Sequence, residues 1–160
     1  MQGVLDALDG FGGVYLAVFV FAILSGVIPV TNSEVLMTAL GAGSSYGWSK
    51  LLVLAAIVAV GQSITHAALY FTARGITRAG TSNSPKWEAR IAKAHALAEK
   101  WKKSEVLMMI GGATIGVPPQ VLVATVAGVI GIPFRTFATI DVCGRFVRFA
   151  LIALIAHAAV

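Results

Sequence analysis

Charged residues are scarce in this chain: Asp, Glu, Lys and Arg make up 12% of its 160 residues, and 58% of the residues are hydrophobic. A soluble globular domain carries about 25% charged residues, roughly twice this share. Five stretches with little or no formal charge contain most of the chain. Each approaches or exceeds the ~20 residues that cross a bilayer as a helix. The composition excludes an ordinary soluble domain and predicts an all-α integral membrane protein.

Cysteine and histidine are sparse as well. Cys143 is the single cysteine, and the three histidines are His66, His95 and His157. One cysteine cannot form an intramolecular disulfide, and histidines this far apart lack the spacing of a metal site. The sequence offers neither a nucleophile with a neighbouring base nor a pair of catalytic carboxylates. We therefore expect no enzyme activity, no metal and no cofactor.

Basic residues outnumber acidic ones by 12 to 7, and eight of them fall between Arg74 and Lys103. Hydrophobic stretches flank this segment on both sides, so the cluster indicates membrane topology and not a nucleic-acid site. The positive-inside rule places residues 74–103 in the cytoplasm of a chain in the cell membrane, that is, the inner or plasma membrane. We expect membrane lipids, and no nucleic acid, as partners of this segment.

The first hydrophobic region, residues 11–43, is interrupted in its middle. An apolar run rich in Phe and Val meets Pro29 and then the polar run Thr31–Glu34. This polar run fits a capping box, in which the first hydroxyl and the fourth-position carboxylate satisfy free N–H groups at a helix start. A half-helix from about Asn32 to Leu40 would follow and end at a glycine-rich turn. The pattern predicts a re-entrant helical hairpin.

Residues 50–74 are predicted to form a transmembrane helix, because no formal charge interrupts the 23 residues from Leu51 to Ala73. Gln62, His66 and Tyr70 recur every four residues on it. They form one polar stripe, which we expect to face the protein interior. Two roles stay open for the stripe: packing between helices, or part of a transport path.

Residues 85–103 are predicted to form a basic amphipathic helix on the membrane surface. Ser84 followed by Pro85 is typical of an N-cap and a first helical position. One face carries apolar or small side chains at alternating four- and three-residue steps, and lysine and arginine fill much of the rest. The apolar face consists of Trp87, Ile91, Ala94, Ala98 and Trp101.

The pattern of the first half recurs in residues 106–131, and another helix is predicted at 135–158. This second region is interrupted by Pro118, Pro119 and Gln120, as the first region is interrupted by a proline. With one spanning helix between them, two re-entrant hairpins must enter from opposite faces, as in secondary transporters. The predicted fold is one membrane domain, an inverted repeat of two re-entrant hairpins, each followed by a transmembrane helix, plus the cytoplasmic amphipathic helix. Such hairpins point to a binding site near the bilayer midplane.

Charge in the last helix is predicted to lie within the membrane. Too few residues follow Arg148 to span a bilayer, so a crossing helix must start at or before about Asp141. Asp141, Arg145 and Arg148 share one helical face, where Asp141 can pair with Arg145 and leave Arg148 for another anion. The alternative is that both arginines snorkel to the interface at the start of a short, tilted helix.

These motifs together resemble the DedA family, also called the VTT-domain or SNARE-associated superfamily, and in particular its short YqaA-like branch. The likeness covers roughly Phe11 to Leu154. In the first half, Pro29 to Glu34 is similar to the family's proline-rich re-entrant motif, and Gly61 to Gly75 to its glycine, tyrosine and Gly-Arg-Gly helix ending. In the second half the similar segments are Gly116 to Pro119, Ala127-Gly128, Pro133-Phe134 and Gly144 to Phe149.

The chain departs from the family pattern at two places. Thr114 and Ile115 stand where larger members have an arginine before the second re-entrant proline, and His66 stands where an acidic or amide residue is frequent. The resemblance implies a lipid-translocating or proton-linked transporter for phosphorylated polyprenyl or phospholipid carriers. It also implies that the membrane-embedded acidic residue and arginines act in transport.

Two half-helix N-termini, at Asn32 and Pro119, would combine with the arginines to make an anion site in the membrane. We therefore expect a transporter or flippase for an anionic lipid headgroup, polyprenyl phosphate or phospholipid, coupled to protons through Glu34. Glu34 as a simple capping residue is the alternative role. The candidate site residues are Pro29, Asn32, Ser33, Glu34, Gln62, His66, Pro118, Pro119, Gln120, Asp141, Arg145 and Arg148.

Two other functions stay open at this point. In an exporter of small cationic drugs, Glu34 would accept the cation, and the charge of the substrate separates this function from lipid transport. In a non-transporting membrane organiser or assembly factor, the basic helix and glycine pairs would make the contacts. The small size of the chain predicts a homodimer.

Overall fold

The computed structural model describes residues 12–26, 32–79, 85–100 and 104–159. All regular structure within these ranges is α-helical, as the sequence predicts. In chain order the helices are α1 (Gly13–Ser25), α2 (Ser33–Gly43), α3 (Trp48–Ala79), α4 (Pro85–Lys100), α5 (Glu105–Thr114), α6 (Gln120–Ile130) and α7 (Phe134–Ala158).

Each of the two interrupted hydrophobic regions contains a pair of short helices. α1 and α2 have 13 and 11 residues, and α5 and α6 have 10 and 11. All four are shorter than the ~20 residues of a membrane-crossing helix. Residues 115–119, which include Pro118 and Pro119, form the non-helical link between α5 and α6. Pro29, predicted to break the first region, lies outside the described residues.

The start of α2 corrects the predicted capping box. The N-cap is Asn32, whose side-chain oxygen accepts a hydrogen bond from the backbone N–H of Glu34 at 2.8 Å. Thr31, the predicted cap, lies outside the described residues. Asparagine is among the strongest N-cap residues, and the extended backbone of Asn32 suits that position. The Glu34 carboxylate instead accepts a hydrogen bond from Arg148, on α7.

Among the described residues, α3 is the one helix long and apolar enough to cross a membrane, over Trp48–Ile76. It extends past both charges that were predicted to bound it, because each has a partner. The ammonium of Lys50 lies 3.6 Å from the ring centroid of Tyr46, a cation–π contact. Arg74 donates hydrogen bonds to the Tyr70 hydroxyl and to the carbonyl of Ile132.

α7 lies close to its predicted bounds of 135–158 and has 25 residues. At 1.5 Å per residue it is about 37 Å long, enough for a hydrocarbon core of ~30 Å. It carries Arg135, Asp141, Arg145 and Arg148. Its predicted crossing of the membrane therefore requires partners for the inner charges.

α4 begins at Pro85, as predicted from the Ser-Pro pair. Lys86 and Lys93 are exposed on it. The predicted apolar face lies outside the described side chains at Trp87, Ile91, Ala94 and Ala98, and outside the described residues at Trp101.

The chain divides into two compact units, one of residues 1–64 and 145–160 and the other of residues 65–144. Each unit has its own apolar core, built from a pair of short helices and parts of α3 and α7. The core of the first unit includes Val18, Met37, Leu54, Val58, Phe149 and Ala153. The core of the second includes Tyr70, Met108, Val123, Val126 and Phe137, and the rings of Tyr70 and Phe137 stack with centroids 5.3 Å apart.

Glycines let the helix backbones of the first unit approach closely. A Cβ atom on Gly61 would lie 2.8 Å from the Cβ of Ala22 and 3.1 Å from the carbonyl oxygen of Phe19. A Cβ atom on Gly41 would overlap the carbonyl oxygen of Ala153. α1 therefore crosses α3, and α2 crosses α7, at glycines, which is how many membrane helices associate.

The second unit uses glycines in the same way. A Cβ atom on Gly144 would lie 2.6 Å from the Cβ of Ala113, so α7 and α5 meet there. A Cβ atom on Gly128 would overlap the carbonyl oxygen of Tyr70 and lie 3.1 Å from the Cβ of Ala73, so α6 and α3 meet there. The short helices of this unit are thus also held to the long ones by close backbone packing.

We predict that Gly61→Ala lowers the free energy of unfolding by about 1–3 kcal/mol, because α1 must shift to admit the methyl group. Gly75→Ala is the matched control on the same helix, since nothing lies within 4 Å of a Cβ atom there. That change should raise stability by up to ~1 kcal/mol through helix propensity. Unfolding in detergent micelles measures both, and equal effects of the two changes would contradict the close crossing.

Candidate functional site

Gln62 on α3 is the centre of a polar cluster in the first unit. Its side chain is buried, with 6% of the residue exposed. The amide nitrogen donates hydrogen bonds to the hydroxyl oxygens of Ser25 at 2.7 Å and Ser33 at 2.9 Å. The two hydroxyls also bond to each other at 2.6 Å. The amide oxygen accepts a hydrogen bond from Arg145. One side chain therefore joins the end of α1, the start of α2, α3 and α7.

An ion pair lies beside this cluster. The guanidinium of Arg148 donates a hydrogen bond to the carboxylate of Glu34. The side chain of Arg148 is 20% exposed and that of Glu34 is 42% exposed, so the pair is partly open to its surroundings. Glu34 stands in the first turn of α2, where a negative charge also interacts favourably with the helix dipole.

These groups enclose a polar cavity of about 180 Å³ in the first unit. Its lining includes the guanidinium of Arg145 and the amide of Gln62, whose two N–H groups bond to Ser25 and Ser33. Asn32, Ser33 and Glu34 line it at the start of α2, and Arg148 is paired with Glu34. The residues that line the cavity are Ser25, Asn32, Ser33, Glu34, Gln62, Arg145 and Phe149.

A second polar cluster lies in the second unit and is more deeply buried. Asp141 is 1% exposed, His66 is 2% exposed and Gln120 is 6% exposed. The amide nitrogen of Gln120 donates to Asp141 Oδ1 at 2.6 Å, and His66 Nδ1 donates to Asp141 Oδ2 at 3.2 Å. Gln120 is the first residue of α6, directly after the N-cap residue Pro119. The proline break thus positions an amide side chain for the Asp141 carboxylate.

The predicted site residues divide between the two units. Pro29 is outside the described residues. The first unit contains Asn32, Ser33, Glu34, Gln62, Arg145 and Arg148, and the second contains His66, Pro118, Pro119, Gln120 and Asp141.

The polar stripe on α3 is buried, as its four-residue spacing predicts. Its members nevertheless serve different clusters: Gln62 belongs to the polar cavity, and His66 bonds to Asp141. Arg148 was expected to be left for an anion other than Asp141, and it pairs with the carboxylate of Glu34. Spacing within α7 reveals which side chains share a face, but not which residue of α2 lies opposite that face.

Sequence reasoning missed two residues of the polar cavity, Ser25 and Phe149. The serine ends an otherwise apolar helix, and that isolated hydroxyl was the available signal. The phenylalanine lies in the Gly144 to Phe149 segment of the family likeness, but an aromatic residue in an apolar helix is usually core and it was not chosen as a site residue. The hydroxyl of Tyr70, left open as a packing or transport group, donates to the carbonyl of Ile132 in the turn between α6 and α7.

A family model described as VTT domain matches residues 28–158. The chain belongs to the VTT-domain (DedA) family. The match covers both predicted interrupted regions from residue 28 onward, so it confirms the resemblance drawn from the motifs. No curated protein and no solved structure matches the chain.

Membership of the VTT-domain family makes the chain a membrane protein, in keeping with the apolar helix α3. Proteins of this family are generally assigned to transport or lipid translocation. Asn32, Glu34, Gln62, Asp141, Arg145 and Arg148 all lie within the matched residues.

We predict that Asp141→Ala lowers the free energy of unfolding by about 3–5 kcal/mol, because buried donors on Gln120 and His66 lose their acceptor. Asp141→Asn should cost less, since it retains an oxygen that can accept from Gln120. Unfolding in detergent measures both changes. Wild-type stability of Asp141→Ala would show that this cluster does not hold the second unit together.

Proposed function

We propose that this chain carries the headgroup of an anionic lipid, such as a polyprenyl phosphate or a phospholipid, across the cell membrane. The observation that supports this function is the polar cavity of the first unit. The cavity brings an arginine to the start of a helix, and the chain belongs to a family of membrane proteins. A phosphate is the headgroup that such a set of donors suits.

The phosphate would lie between Arg145 and the start of α2. A guanidinium presents N–H donors in a fork that matches two phosphate oxygens. The free N–H groups and partial positive charge of a helix N-terminus bind phosphate in many unrelated proteins. Asn32 and Ser33 stand at this N-terminus and both line the cavity.

Glu34 and Arg148 provide a means of coupling transport to protons. Protonation of Glu34 removes the negative charge that holds Arg148, so the guanidinium becomes available to the phosphate. Loss of that proton restores the ion pair and favours release of the headgroup. Glu34 would then bind a proton and Arg148 the substrate in the same step.

Export of small cationic drugs is less well supported by the same residues. A cation at Glu34 would have to displace Arg148 and would lie in a cavity that Arg145 also lines. The role of a non-transporting organiser makes no use of the cavity. Both alternatives become outcomes of the transport experiment described below.

We also propose that the two units are the halves of an inverted repeat of re-entrant hairpins. Gly61 meets Ala22 of the first short helix in one unit, and Gly144 meets Ala113 of the first short helix in the other. Each unit also has a glycine on its second short helix. The four glycine crossings therefore form two matched pairs, and this match supports the repeat.

The spacing of these contacts supports the repeat further. Gly41 meets Ala153 and Ala156, and Gly128 meets Tyr70 and Ala73. Three pairs of residues, one member on α3 and the other on α7, are separated by the same number of positions in the sequence. They are Gly61 and Gly144, Tyr70 and Ala153, and Ala73 and Ala156. This equal spacing supports a correspondence between α3 and α7. In this arrangement residues 74–103 are cytoplasmic, and a homodimer is the proposed assembly.

We predict that Glu34→Gln and Arg145→Ala each slow translocation of a labelled polyprenyl phosphate, in proteoliposomes under an imposed pH gradient, by roughly 10- to 100-fold. Loss of a charge-assisted hydrogen bond of about 1.5–3 kcal/mol corresponds to roughly a 10- to 100-fold slower rate. The matched controls are Glu105→Gln, an exposed acid in the first turn of α5, and Arg135→Ala, an exposed arginine on α7. Both controls should transport as the wild type does.

Each contrary result selects another function. Normal transport by both Glu34→Gln and Arg145→Ala would remove the cavity from the mechanism. Absence of lipid transport together with uptake of cationic dyes that depends on Glu34 would favour the exporter. Absence of both activities would favour the organiser.

A further inference from the structure

A second cavity of the first unit runs along the outer face of α2. It has a volume of about 500 Å³ and extends from Asn32 and Glu34, past Val35 and Ala39, to Ala42. At 1.5 Å per residue, this part of α2 is about 13 Å long. We call this cavity the α2 groove.

The α2 groove is apolar beyond its first turn. Val35 is 64% exposed to it, and the side chains that follow along the face are small, so the groove stays open. Thr38 is the one hydroxyl that lines this stretch, and it donates to the backbone carbonyl of Glu34 at 2.8 Å. That donor is therefore satisfied within the helix, and the groove wall favours hydrocarbon.

The α2 groove and the polar cavity meet at the start of α2, since Asn32 and Glu34 line both. The polar cavity, at about 180 Å³, is small beside the usual 300–1,000 Å³ of a ligand pocket. Its volume suits a compact headgroup and not a hydrocarbon chain. A polar cavity that shares its edge with a longer apolar one has the polarity of a single amphiphile.

We propose that the α2 groove binds the hydrocarbon chain of the lipid whose phosphate enters the polar cavity. This inference rests on the proposed function for the identity of the headgroup. It adds where the hydrocarbon chain of the lipid binds. The bound molecule is then an intact lipid with a compact anionic headgroup, and not a free phosphate. Binding then depends on the length of the chain as well as on the charge of the head.

Another apolar groove of the first unit provides an internal control. It has a volume of about 300 Å³ and is lined by Phe19, Val53, Ala56, Ile57 and Val60. It shares no lining residue with the polar cavity. Ordinary bilayer lipid would occupy both grooves alike, whereas a lipid held by its headgroup would favour the α2 groove.

The test is photolabelling in proteoliposomes with a polyprenyl phosphate that carries a diazirine on its chain. We expect the label on residues 33–43, at a yield roughly tenfold above that of the matching polyprenol, which lacks the phosphate. Ala42 is exposed, so Ala42→Phe places a ring in the groove without disturbing the core. It should lower the labelling yield by roughly tenfold, because about two methylene groups of the lipid lose their burial. Ala56→Phe in the control groove should leave it unchanged.

Several results would overturn the inference: equal labelling by the polyprenol, equal effects of Ala42→Phe and Ala56→Phe, or a label that falls mainly on residues 53–60. Inhibition of labelling by inorganic phosphate alone, with no dependence on chain length, would identify a free anion as the ligand. Wild-type labelling needs no folded variant and no movement of the lipid. Labelling of α2 without translocation would therefore contradict the transport function and support the lipid-binding groove. Translocation without labelling of α2 would support transport and contradict the groove.

Discussion

A guanidinium or carboxamide buried among apolar helices costs free energy unless hydrogen bonds satisfy it, and both units of this chain are arranged around that constraint. In the first unit Gln62 uses both ends of its amide, binding two serine hydroxyls with one and Arg145 with the other. In the second unit Asp141 accepts from Gln120 and His66. Several of these polar side chains stand at the ends of short helices: Ser25 is the last residue of α1, and Ser33 and Gln120 are the first residues of α2 and α6.

The breaks between short helices provide polar backbone groups that an unbroken helix would use in its own hydrogen bonds. A helix start within an apolar region exposes backbone N–H groups that must be capped or bound by a ligand. At α2 the Asn32 side chain satisfies one of them, and the first residues of the helix, Ser33 and Glu34, line a polar cavity. At α6 a proline precedes the first turn and Gln120 bonds to a buried carboxylate. The two units thus use the same construction, one beside an open cavity and the other within a closed cluster.

Much of the fold was predictable because composition and proline placement are local signals. The scarcity of charge indicated a membrane protein, and the order of prolines and glycines gave the family, which the match over residues 28–158 confirms. The burial of Gln62, His66 and Tyr70 followed from their four-residue spacing. Which of the two arginines pairs with Glu34 did not follow, since the pair joins α2 to α7 and no spacing within one helix encodes it. Ser25 was not predicted for the same reason, because its hydrogen-bond partners lie on two other helices.

The glycine crossings have a mechanical consequence. Helices that meet through interlocked side chains slide only if those side chains repack, because ridges of one helix occupy grooves of the other. α2 meets α7 at Gly41, where the carbonyl of Ala153 takes the place that a side chain would fill. Such a contact is made by backbone atoms, so no rearrangement of side chains can widen or narrow it. The start of α2, with its cap and its carboxylate, is therefore held to α7 twice, by the backbone contact at Gly41 and by the pair of Glu34 with Arg148.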